Sequence, residues 1–177
     1  MAATFDVEID TGATPTMASL TNLRFNEADD NDQDTGNPCQ IPGAGTDYSY
    51  WKHIYLRCTG GTFTQCDNFQ YYSDGAAMDT GTLIKVSTNE VLNDSGYDQA
   101  TGTDEMVANH TGVTSSADCN NYTSGGSKLA FSVVPGDDII DTSGEETNYL
   151  VFQLEISSTA SPGQMTSKTH TIQYDEI

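Results

Sequence analysis

Hydrophobic and polar positions along this chain alternate with a period of two. Phe5, Val7 and Ile9 alternate with Asp6, Glu8 and Asp10, and Leu23 and Phe25 with Asn22, Arg24 and Asn26. In SYWKHIYLRC, residues 49–58, Ile54, Leu56 and Cys58 share one face and Trp51, His53 and Tyr55 the other. Further strands are predicted at NFQYYS (68–73), TLIKVST (82–88), LAFSVV (129–134), YLVFQLEIS (149–157) and THTIQYDEI (169–177), each bounded by Gly, Asn, Asp or Pro. The clearest alternation sets Leu150, Phe152, Leu154 and Ile156 against Val151, Gln153 and Glu155. One short helix candidate, EMVANH (105–110), stands among them. Such strands separated by turn-rich segments predict an all-β fold: a single antiparallel β-sandwich of jelly-roll type spanning residues 1–177.

Two long irregular stretches, 26–48 and 93–127, interrupt the alternation. Connections of that length in a small sandwich usually serve a purpose. The rings of Tyr48, Tyr50, Trp51, Tyr55, Phe69, Tyr71 and Tyr72 raise a related question. Two sheets cannot bury both faces of these strands, so a second covering is required. A long loop, a neighbouring subunit or a sugar would each supply it.

Charge changes the picture next. Six Lys and Arg stand against 26 Asp and Glu, a formal net charge of −20. This surface repels nucleic acid and anionic membrane, and it suits concentrated salt or the binding of several calcium ions. No run approaches the ~20 apolar residues of a membrane helix, and MAATFDVEID lacks the basic flank and apolar segment of a signal peptide.

Candidate chemistry is sparse. Asp-Thr-Gly occurs at Asp10, Asp34 and Asp79, the motif with which aspartic proteases present a catalytic carboxylate. A retroviral-type enzyme needs a strand-rich segment before the motif, and only nine residues precede Asp10. Turn chemistry explains all three copies better. In EADDNDQDTG, Glu27, Asp29, Asp30, Asp32 and Asp34 form a candidate site for calcium or another structural cation, although the spacing departs from an EF-hand. Cys39, Cys58, Cys66 and Cys119 lack Cys-x-x-Cys spacing. They stand as free buried thiols or as disulfides, with Cys58–Cys66 and Cys39–Cys119 one possible pairing. His53, His110 and His170 are scattered; His53 and His170 fall on strands and read as satisfied side chains. The Asn-x-Ser/Thr triplets at Asn93, Asn109 and Asn121 are expected by chance in this composition.

With TNLRF, SYWKHIYLRCTGG, NFQYYSDG and the terminal THTIQYDEI taken together, the chain resembles small β-sandwich structural proteins of tailed bacterial and haloarchaeal viruses. The resemblance implies a non-enzymatic virion component, such as a capsid decoration, turret or tail protein. It would be assembled in the host cytoplasm and then leave in the particle. The partners implied are further copies of itself and a major capsid or tail protein. A carbohydrate-binding sandwich, with aromatics stacked on a host-surface glycan and calcium in the acidic loop, is the alternative. A retroviral-type aspartic protease ranks third.

Overall fold

The computed structural model describes residues 2–31, 36–88, 96–133 and 138–177. β1 (Thr4–Thr11) carries the first alternation and turns at Gly12, whose φ of +90° favours glycine, into β2 (Thr16–Ser19). β3 (Thr46–Tyr48), β4 (Lys52–Gly60), β5 (Cys66–Ser73) and β6 (Thr82–Thr88) follow. After these come a single helical turn α1 (Met106–Asn109), β7 (Ala117–Asp118), a 3-10 turn η1 (Cys119–Asn121), β8 (Leu129–Ala130), β9 (Ile139–Ile140), β10 (Leu150–Ser157) and β11 (His170–Glu176).

Among the described residues these strands form two antiparallel sheets. Sheet A runs β2-β1-β4-β10-β6-β7, with β3 also paired to β10; sheet B runs β11-β5-β8, with β9 beside β5. Ile54, Leu56 and Cys58 of β4, Ile84 and Val86 of β6, and Leu150, Phe152, Leu154 and Ile156 of β10 meet Phe69 and Tyr71 of β5 in one core. Each such Leu, Ile or Phe contributes about 1.5–3 kcal/mol by leaving water. The all-β antiparallel sandwich expected from the alternation is therefore what forms. Jelly-roll connectivity is a finer statement that this strand order does not establish.

Two local expectations are corrected, and one strand is more deeply enclosed than its alternation alone specifies. TNLRF is not a strand: β2 takes the free edge of β1, and Leu23 and Phe25 pack on the core from irregular chain. LAFSVV shortens to Leu129–Ala130, with Val133 in an isolated bridge to Thr147. β10 is buried on both faces, because Val151 and Gln153 are as enclosed as their neighbours. One further irregularity matters. From Tyr48 to Lys52 is four residues, yet their partners Glu155 and Phe152 are three apart, so residues 49–51 form a β-bulge beside β10.

Candidate functional site

The outer face of sheet A is where side chains of chemical interest converge. Antiparallel register sets Asp10 of β1 opposite His53 of β4, and His53 opposite Val151 of β10. Tyr55, two residues along, lies opposite Glu8. Residues 96–113 lie over this face. Ala100, Met106 and Val113 from the covering segment join Trp51, Tyr55, Tyr149 and Val151 in a second buried cluster, distinct from the main core. The second covering that the ring count demands is thus supplied by the chain itself.

Polar contacts fasten the cover. The Trp51 indole N–H donates to the Asp98 carbonyl at 2.6 Å. Gln153, fully buried, donates through Nε2 to the carbonyls of Ser49 in the bulge (2.9 Å) and Asp104 in the cover (2.7 Å), and its Oε1 accepts from the Met106 amide at 2.9 Å. This one amide satisfies three backbone groups that irregular chain would otherwise bury unpaired.

At the centre, Nε2 of His53 lies 2.7 Å from Nε2 of His110. The Gly112 amide donates to Nδ1 of His110 at 2.9 Å, so that nitrogen carries no proton. His110 is therefore the Nε2–H tautomer and donates to an unprotonated Nε2 of His53. Burial drives His53 well below the usual imidazole pKa, and a positive His110 would lower it further. Burial lowers His110 as well, opposed by the Asp98 carboxylate. The neutral pair is a closed donor–acceptor unit, and these tautomers leave His110 no Nε2 lone pair for a metal. Tyr97 and Tyr149 flank His53 with ring centroids at 4.7 and 5.0 Å. Tyr149 donates its hydroxyl to the buried carboxylate of Asp10. Tyr97 donates at 3.0 Å to Asp29, which also takes the Gly12 amide at 2.8 Å.

The acidic loop is organised differently from the expected cation site. Lys52, 1% exposed, sends its ammonium into the loop, donating to the carbonyls of Ala28 (2.5 Å) and Asp30 (2.9 Å), with the Asp30 carboxylate 3.9 Å away. Glu27 takes the Gln40 amide, Asp29 the groups just named, and Asp30 the Asn26 amide. Their carboxylates thus serve separate partners, and among the described residues no three His, Cys, Asp or Glu converge as metal ligands. Asp32 and Asp34 lie outside the described residues.

The aromatic expectation divides. Trp51, Tyr55 and Tyr71 are 4%, 2% and 0% exposed, which corrects their assignment as surface ligands: the cover encloses the first two and the main core the third. Tyr48, Tyr50 and Tyr72 remain half-buried. Cys39, Cys58, Cys66 and Cys119 are free thiols, so neither Cys58–Cys66 nor Cys39–Cys119 is bonded. Burial pushes the thiols of Cys39 and Cys119 up to about 12 and that of Cys66 to about 11, leaving them protonated. Two Asp-Thr-Gly copies are turns, with Gly12 and Gly81 at positive φ; the copy at Asp34 falls partly outside the described residues. His170 pairs with the Tyr71 hydroxyl at 2.8 Å, a satisfied side chain on β11. The pairing of His53 with His110, 57 positions apart, carries no local sequence signal. Nor does the use of Gln153 and Lys52 as fasteners.

Sheet B presents the opposite outer surface. Lys128 donates to Gln173 (2.9 Å), Gln173 to Gln70 (2.9 Å), Gln70 to Asn68 (3.1 Å) and Asn68 to Asp175 (2.8 Å), while the Lys128 ammonium sits 5.4 Å from the Tyr72 ring centre. This row crosses β5 and β11 as a polar band, exposed at Asn68 and Asp175.

The class defined by these features is an all-β antiparallel sandwich whose polar interior fastens its own loops. Comparison with protein-family models, with curated proteins and with solved structures finds no match for this chain.

Proposed function

We propose that this chain is a non-enzymatic structural protein of a virion surface, a capsid decoration or turret component that self-associates on the particle and is adapted to high salt. The observation that carries this reading is the outer face of sheet B. Residues 96–113 are committed to the outer face of sheet A, whereas the band Lys128–Gln173–Gln70–Asn68–Asp175 lies on the outer surface of sheet B. Lys128 is held there by a neutral amide and a ring, and its charge complements the acidic surface of a second copy of a molecule with net charge −20. Concentrated salt screens the remaining repulsion between copies.

A glycan is the second reading, favoured by the carboxamides beside Tyr72 on the same face. It loses Trp51 and Tyr55, the rings on which it first rested. Light scattering from low to molar salt separates the two. Self-association predicts a defined multimer in concentrated salt, weakened by Lys128→Glu. A monomer at every salt concentration, with or without calcium, contradicts it and favours the glycan.

A further inference from the structure

The face beneath residues 96–113 is closed by contacts that differ in their response to acid. Trp51 to Asp98, and Gln153 to Asp104 and Met106, are neutral hydrogen bonds. Among the described residues, the hydrogen-bond contact between His53 and His110 joins two imidazoles directly across from the cover to β4, beside the Tyr97 ring that also packs on His53. In its neutral form every nitrogen named is matched: Gly112 N–H to His110 Nδ1, and His110 Nε2–H to His53 Nε2. A proton arriving from solvent has two lone pairs to take, Nδ1 of His110 or Nε2 of His53. On the first it faces the Gly112 N–H; on the second it faces the His110 N–H. Either position turns a hydrogen bond into an N–H against N–H contact in a buried site.

We propose that residues 96–113 form an acid-released cover: protonation of the His53–His110 pair breaks its central contact and exposes the aromatic face of sheet A. The groups around the pair set which imidazole takes the proton. Asp98, on the cover, accepts from the amide and hydroxyl of Thr111 and favours a positive charge on His110. Asp10 of β1 faces His53 in register and accepts from the Tyr149 hydroxyl; the Tyr97 ring packs at a tilt against His53 and its hydroxyl is tied to Asp29 of the acidic loop. The deeper burial of His53 and the Asp98 carboxylate near His110 direct the first proton to His110, and the imidazolium moves outward with its segment toward water. Opening is local because Ala100, Met106 and Val113 belong to a cluster separate from the core between the sheets. The surface uncovered is Trp51, Tyr55, Tyr149 and Val151, an apolar patch of the kind that mediates contacts.

Trp51 is the chain's one tryptophan and reports on this event directly. Its emission and acrylamide quenching are followed with far-UV circular dichroism from about pH 8 to about pH 4.5, spanning imidazole titration. In parallel, imidazole 15N shifts give the tautomer and titration of each histidine. The expected result is His110 as the Nε2–H tautomer at neutral pH, with red-shifted emission and rising quenching as it protonates, while the β-sheet dichroism holds. His110→Gln should fold with a pH-independent Trp51 signal. If that variant fails to fold, the 15N titration of the unsubstituted chain decides. Trp51 buried throughout, exposed only together with loss of the β signal, or exposed without titration of His110 would each overturn the proposal.

Discussion

Gln153 shows how one buried side chain sets the architecture around it. A strand position read from alternation alone is outward and wet, yet Gln153 has no exposure and joins the β-bulge to the covering segment. Gln153→Leu should keep the volume but strand three backbone groups, a loss of about 3 kcal/mol or more given the ~1–3 kcal/mol attached to each unpaired group. Urea unfolding of the variant against the parent measures it. Lys52 makes the same point with charge. Lys52→Met leaves the carbonyls of Ala28 and Asp30 without their donor and the acidic loop without its internal cation, and a loss of roughly 3 kcal/mol is expected. Calcium should not restore that loss, because the described carboxylates of the loop have separate partners. Thermal melts with and without calcium check this. At Gly81, φ is +77° and an added Cβ would collide with the backbone of Ala160. Gly81→Ala is destabilising through both effects.

At the scale of elements, β4, β5, β6, β10 and β11 were legible because each is seven residues or longer and carries apolar residues in alternating or clustered positions between turn-forming residues. β2, β3, β7 and β9 were not: four residues or fewer give no period to detect, and they form because a longer strand offers an open edge. TNLRF misled for the converse reason, since Leu23 and Phe25 are buried without pairing. The candidate site was half legible. Alternation sorted Trp51, His53 and Tyr55 from Ile54, Leu56 and Cys58, and the ring count required a cover. Which segment supplies it depends on tertiary partners such as His110 and Asp98, which carry no sequence period. The cover should also be the weaker element. Hydrogen exchange is expected to be slowest in β4 and β10, each flanked by paired strands, and faster across 96–113, where one helical turn and a few side-chain bonds hold the chain. Equal protection in both would contradict that division.

For the whole molecule, acid and salt act through different groups. His53, His110 and His170 are all lowered by burial below their unfolded value near 6.5. The unfolded chain therefore binds protons first as pH falls through 6.5, and stability that is complete above this value declines below it. Asp74, lowered by the amides of Ala76 and Thr169, adds a further loss at lower pH as its carboxylate protonates. Denaturant midpoints should fall between about pH 7 and about pH 5 at constant ionic strength, and a flat profile would contradict the neutral, buried histidines. Salt acts on the net charge of −20 and hence on the proposed association between copies. That the aromatic face is closed by the chain's own residues 96–113 underlies both the site and the rejection of Trp51 as a surface ligand. Acrylamide quenching of Trp51 in the isolated monomer at neutral pH tests it most directly. Strong protection in the monomer, unchanged by self-association or by added polysaccharide, is the expected result. A freely quenched Trp51 that becomes protected only with a second copy or a sugar would contradict it.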